Sequence, residues 1–247
     1  MKIKGTNINY VQYGNEKGEN VVLLHGWGQN IKMMDPIGRG LQDYFKITLI
    51  DLPGFGDSVE PPFGWEIQDY YEAIAQLLKK LKIKKPIIIG HSFGGRLAIM
   101  YAAKKEVSKL ILLATPFRRT NKKATIKIKI YKLLKKIPLL NRYQEYFKKR
   151  IGSRDYRNAT PTMRRVLVNV VNADLTEYIH LIKCPTLLIW GSEDNEAPLK
   201  EGKYIESIIK DCGLIIYEGG SHFAYLEYID RTVNILNEFL KKERIKQ

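Results

Sequence analysis

Six short apolar runs constrain this chain more than any other feature: "NVVLLHG" (20–26), "FKITLIDLPG" (45–54), "KPIIIGHS" (85–92), "VSKLILLATP" (107–116), "CPTLLIWG" (184–191) and "CGLIIYEGG" (212–220). None alternates apolar with polar, and each is bounded by Gly, Pro or a polar turn, the pattern of strands buried on both faces of a parallel sheet. Between them lie segments with helical spacing. In "WEIQDYYEAIAQLLKKLK" (65–82), Ile67, Tyr70, Tyr71, Ile74, Leu77, Leu78 and Leu81 fall on one face. Strands alternating with such helices predict a mostly parallel α/β sheet joined by right-handed crossovers. The opening "KIKGTNINYVQYG" alternates more and turns at Gly5 and Gly14, so an antiparallel edge hairpin is expected there.

The rhythm breaks after Pro116, where about 65 residues precede the next strand-like run, far more than a crossover needs. "KKATIKIKIYKLLKKI" places Ile126, Ile130, Leu133, Leu134 and Ile137 on one helical face, and Thr160, Pro161 and Thr162 mark a later helix start. Residues 117–180 are therefore read as a helical cap inserted between 1–116 and 181–247, which form the core. Charge follows the same division. Of 41 Lys and Arg and 26 Asp and Glu, residues 118–157 hold 15 basic and only two acidic, so the rest of the chain is nearly balanced.

"GHSFG" (90–94) matches G-x-S-x-G between an apolar run and a helix-like segment, the context this motif requires. A serine at the apex of so sharp a turn is strained, and side chains at Gly90 and Gly94 would collide as strand and helix converge. The helix start leaves the Phe93 N–H free to face a developing oxyanion. Because a serine hydroxyl is a poor nucleophile at neutral pH, a base and an orienting acid must stand elsewhere. Asp194 follows the strand ending at Trp190 and His222 follows the next, giving the chain order Ser, Asp, His. Glu193 and Glu196 remain alternatives to Asp194, which is preferred because Gly191 and Pro198 bracket a turn that would fix a short carboxylate. His222 is the base by elimination, since His91 belongs to the elbow, His25 to another motif and His180 to the end of the cap. A turn at Gly26 in "LLHGWGQN" brings the Trp27 N–H beside that of Phe93 as a second oxyanion donor, with His25 fixing the loop.

"HGWG", "DLPGFGDS", "GHSFGG", "PTLLIWGSED" and "GGSHF", in this order over the whole length, resemble the α/β-hydrolase superfamily. The resemblance implies a mostly parallel, eight-stranded sheet flanked by helices, with Ser92 as nucleophile, Asp194 as acid, His222 as base and Trp27 and Phe93 as oxyanion donors. It also makes Asp51 and Asp57 structural members of a loop beside the pocket. Serine at the elbow argues against the epoxide-hydrolase and dehalogenase branches, whose nucleophile is Asp. Arg96, one helical turn past Ser92, has two readings: a substrate-binding cation, as the "GGR" of the branch that makes a menaquinone precursor by eliminating pyruvate implies, or a structural residue tied to a carboxylate or carbonyl.

The expected function is a serine hydrolase that cleaves a carboxylic ester or thioester of a small acyl substrate through an acyl-enzyme. Carbon–carbon hydrolysis or pyruvate elimination on the same triad is the alternative within enzymes; a non-catalytic binding protein is the alternative outside them. No cofactor or metal is called for, since no Cys/His spacing suits zinc. Cys184 and Cys212 are read as buried thiols, and the N-terminus shows no signal-peptide pattern, so the expected compartment is the cytoplasm. For the basic segment, a solvated helical surface competes with attraction of anionic substrates and with contact to an anionic membrane surface. Nucleic acid is not expected, because no recognition motif accompanies the charge.

Overall fold

The computed structural model describes residues 1–118 and 154–241. Seven strands form one sheet: β3 (Tyr10–Gly14), β4 (Asn20–Leu24), β5 (Lys46–Ile50), β6 (Ile87–His91), β7 (Lys109–Leu113), β8 (Thr186–Gly191) and β9 (Cys212–Tyr217). Their spatial order is β3-β5-β4-β6-β7-β8-β9, parallel throughout except for β3, which runs antiparallel to β5 at the edge.

Among the described residues the eight strands expected become seven, because the opening segment divides. β1 (Lys2–Ile3) and β2 (Thr6–Asn7) pair only with each other, as a separate two-stranded hairpin. Gly5 turns that hairpin at φ +82°, and the Ile8 N–H closes it on the Met1 carbonyl. Two-residue strands cannot extend the ladder, so the chain joins the main sheet only from Tyr10.

Burial on both faces explains the unalternating runs. Val21 and Leu23 face one side with Ile47, Leu49, Ile87, Ile89, Ile111 and Leu113, under α1 (Ile31–Leu41), α8 (Ala224–Glu227) and α9 (Ile229–Phe239). Val22 and Leu24 face the other with Ile88, Leu110, Leu112 and Leu188, under α2 (Ile67–Lys80), α3 (Phe93–Lys104) and α7 (Leu199–Ile208). Each such side chain, at 0% exposure for Val22, Leu24 and Ile88, contributes about 1.5–3 kcal/mol by leaving water.

Between β7 and β8 lie α4 (Arg154–Asn158), α5 (Pro161–Asn172) and α6 (Thr176–Ile179). Thr160 caps α5, its hydroxyl accepting the Met163 N–H at 3.2 Å, and Pro161 occupies the first turn, where no N–H is needed. Val166, Val170, Leu175 and Ile179 join the core on the α3 side. The amphipathic reading of 122–137, and most of the basic stretch 118–157, fall on residues outside those described. Among the described residues, no helix is long and apolar enough to cross a membrane.

Candidate active site

Because the strands are parallel, the residues that follow β4, β6, β7, β8 and β9 emerge at one edge of the sheet, where ligands of open α/β folds bind. Ser92, at the turn from β6 to α3, takes φ +49° and ψ −109°, a conformation that costs a non-glycine residue about 1–3 kcal/mol. It is held there by Ser92 N–H donating to the Leu113 carbonyl at 3.0 Å and by the Ser92 carbonyl accepting from Arg96 N–H at 3.1 Å. The hydroxyl takes no part in capping α3.

The glycines of the elbow are set by contact. A Cβ at Gly94 would stand 2.2 Å from the Leu24 carbonyl oxygen and 2.6 Å from that of His25, while one at Gly90 would stand 2.6 Å from the Gly94 oxygen. The first turn of α3 thus lies directly on the end of β4, beside the loop that carries Trp27. Within that loop the Gln29 side-chain oxygen accepts the Gly26 N–H at 3.0 Å, and Gln29 N–H reaches the Gly26 carbonyl at 3.3 Å. Neither the Trp27 nor the Phe93 amide is in a hydrogen bond among the described residues. The Trp27 and Phe93 rings lie 5.6 Å apart and Trp27 stacks edge-on to Phe55 at 4.8 Å, forming an aromatic wall. Phe55 comes from the "DLPGFGDS" loop, whose hub is buried Asp51: its carboxylate accepts from Ile31 N–H, Asn9 Nδ2 and Asp57 N–H at 2.8, 2.8 and 3.0 Å.

Asp194 lies three residues past β8 and is almost fully buried. One carboxylate oxygen accepts the Glu196 and Ala197 N–H groups, both at 2.8 Å, and the other lies 2.8 Å from His222 Nδ1. Two main-chain donors in a tight turn fix this short carboxylate, as the bracketing Gly191 and Pro198 suggested. Glu196 is on the other side of the ring, its Oε2 3.7 Å from His222 Nε2, with a side chain 70% exposed. With Nδ1–H donated to Asp194, a neutral His222 presents Nε2 as a proton acceptor.

Two further histidines brace the site. His25 Nδ1 is 2.7 Å from the Gly26 carbonyl and His25 Nε2 accepts the Leu52 N–H at 2.9 Å, which requires the neutral ring with its proton on Nδ1. His91, fully buried behind Ser92, sets Nε2 3.0 Å from the His222 carbonyl and Nδ1 3.2 Å from the Gln29 side-chain oxygen. Both neighbours are acceptors, so the single N–H of a neutral His91 bonds one of them and the ring lies against the other, packing the elbow between the His222 and Trp27 loops. Gln29, Phe55 and His91 carried only weak sequence signals, a polar residue after a glycine turn, an aromatic in a glycine loop and a histidine before the serine.

Burial drives the His25 pKa down to about 4 and holds that of His91 well below its usual value, a neighbouring His222 adding to the latter. The unfolded chain, with histidine near 6.5, therefore binds protons that the fold refuses. Their contribution to stability is complete above pH 6.5 and is lost as pH falls toward 4, by about 3 kcal/mol for His25 alone. The expected result is a urea midpoint that falls between pH 6.5 and 4 and falls less in His25→Asn; equal pH dependence in the two proteins counts against His25 as the responsible group.

Arg96 meets main-chain carbonyls. Its guanidinium donates to the Pro116 carbonyl at 2.9 Å and to the Val170 and Ala173 carbonyls at 3.0 and 2.6 Å. These bonds tie the segment after β7 to the end of α5, while the buried Nε has no hydrogen-bond partner among the described residues.

Among known proteins, the family model for the α/β hydrolase fold matches residues 19–131. A pimeloyl-[acyl-carrier protein] methyl ester esterase from Pseudoalteromonas atlantica is 27% identical over 91% of this chain and 95% of its own. The AB hydrolase superfamily protein YisY from Bacillus subtilis is 24% identical over 90% of this chain and 91% of its own. In three dimensions, the enol-lactonase from Burkholderia xenovorans superposes with a TM-score of 0.77 at 21% identity, covering 97% of this chain and 98% of that one. Sheet order, elbow and family match agree: this chain has the α/β hydrolase fold.

Proposed function

We propose that this chain is a serine hydrolase of carboxylic esters that works through an acyl-enzyme on Ser92. The observation that carries the reading is the 2.8 Å pairing of His222 Nδ1 with buried Asp194, which leaves Nε2 as a base at the sheet edge where strained Ser92 stands. His222 Nε2 removes the hydroxyl proton as Oγ bonds to the acyl carbon. The oxyanion that forms is received by the Trp27 and Phe93 amides, which have no other partner among the described residues. The imidazolium then gives its proton to the departing alcohol. Water, deprotonated by the same nitrogen, attacks the acyl-enzyme and releases the acid, regenerating Ser92.

The names of relatives support ester chemistry: besides the methyl ester esterases, a lipase from Psychrobacter immobilis is 26% identical over 95% of this chain. The three carbonyls around the Arg96 guanidinium favour ester cleavage over pyruvate elimination from an anionic substrate. Cys184 and Cys212 are both unpaired, which suits a cytoplasmic setting. The expected outcome is hydrolysis of p-nitrophenyl esters over a limited range of acyl lengths, together with covalent labelling of Ser92 by a fluorophosphonate, read by intact mass. Turnover of no ester and no label at Ser92 would sink the proposal.

A further inference from the structure

The charge around the reacting bond bears on substrate class, on the assumption that Ser92 and His222 act as proposed above. For His222 to protonate a leaving oxygen, that oxygen must come within about 3 Å of Nε2. Glu196 Oε2 already stands 3.7 Å from that same nitrogen, so the leaving oxygen and this carboxylate share one neighbourhood, no more than about 7 Å apart. The Glu196 main chain is pinned by its N–H bond to Asp194, so the side chain swings from a fixed point. Among the described residues, His222 is the one charged or chargeable partner of this carboxylate. The cation one helical turn past Ser92 offers no compensation, because Arg96 is buried and bonded to the Pro116, Val170 and Ala173 carbonyls. Arg118, at the far side of that knot, faces buried Glu201 at 3.2 Å.

We infer that Glu196 is a specificity-determining residue that screens the leaving-group side of the site against anions, so that the substrate is an ester whose leaving alcohol is uncharged next to the scissile bond. A second negative charge on the leaving group would lie close enough to Glu196 for repulsion that solvent only partly screens. Neutral alcohols meet no such barrier. Anionic groups remote from the bond, beyond a Debye length of about 10 Å at 0.1 M salt, are tolerated.

The test uses two esters with the acyl group best accepted in the p-nitrophenyl series: the carboxymethyl ester, whose leaving alcohol is glycolate, and the carbamoylmethyl ester, whose leaving alcohol is the neutral amide. Both pass through the same acyl-enzyme, so the ratio of their kcat/KM values isolates acylation. The wild-type protein is expected to prefer the neutral ester by roughly tenfold at low salt, and Glu196→Gln to shrink that ratio about fivefold, whatever it does to the neutral ester alone. Raising salt should shrink the wild-type ratio and leave that of Glu196→Gln nearly level. A ratio identical in the two proteins, or a wild-type preference for the anionic ester, overturns the inference while leaving the hydrolase reading intact. Absence of any ester turnover, or turnover that survives Ser92→Ala undiminished, overturns the hydrolase reading and this inference with it.

Discussion

Ser92→Ala is expected to lower kcat for the best p-nitrophenyl ester by about 10⁵- to 10⁶-fold, with far-ultraviolet circular dichroism unchanged. The substitution removes the oxygen proposed to form the acyl-enzyme, yet it leaves the Trp27 and Phe93 amides and the aromatic wall in place, so a residual rate above that in water should persist. Asp194→Asn is expected to cost about 10⁴-fold. Its mechanism is distinct: a carboxamide in the same turn can offer an N–H to Nδ1, favouring the tautomer that carries its proton on Nε2 and can no longer accept from Ser92. The groups act as one unit, so the Ser92→Ala, Asp194→Asn double variant should be no slower than Ser92→Ala alone, within about threefold. Additive losses would show that Asp194 assists catalysis by a route independent of Ser92, which the 2.8 Å contact to His222 does not predict.

The fold was legible in the sequence wherever one physical cause governed a whole run. "VVLL" and "PIII" read as doubly buried strands because successive residues of a strand point to opposite faces, and here both faces are covered, Val21 under α1 and Val22 under α2 and α3. The elbow was legible for the same kind of reason: only glycine fits where Gly94 meets the Leu24 and His25 carbonyls. The pairing of Asp194 with His222 follows from topology, which puts strand ends together even though 28 residues separate the two in the chain. What could not be read depends on pairings between distant segments. Nothing in "KIKGTN" says that its hairpin closes on itself rather than on the sheet, since Ile8 bonding to Met1 decides it. Likewise, "GHS" alone does not reveal that His91 reaches the His222 carbonyl, 131 residues away, and Glu196 cannot be told from any exposed glutamate until its Oε2 is seen beside Nε2.

Arg96→Ala is expected to destabilise the protein by about 3–5 kcal/mol, seen as a drop in Tm of about 10 °C. The side chain is 4% exposed and serves three carbonyls, of which Val170 and Ala173 belong to the end of α5, where a cation also meets the negative end of the helix dipole. Removing it leaves those oxygens without their donor and opens space beneath α5. Burial has already lowered the Arg96 pKa to about 10, the mark of a charge held by its surroundings at a cost rather than stabilised by a carboxylate in contact. Arg96→Lys should recover less than half of the loss, because one ammonium cannot span the Pro116 carbonyl on one side and the α5 carbonyls on the other. The position thereby separates two kinds of enzyme. If Arg96 held a substrate carboxylate, its loss would raise KM for an anionic substrate and leave Tm nearly untouched. If it ties β7 to α5, Tm falls, and the folded fraction at low temperature keeps ester turnover within about tenfold of wild type, since Ser92, Asp194 and His222 are carried by other strand ends. A Tm shift below 2 °C combined with selective loss of anionic turnover would return Arg96 to the substrate and restore the pyruvate-eliminating alternative.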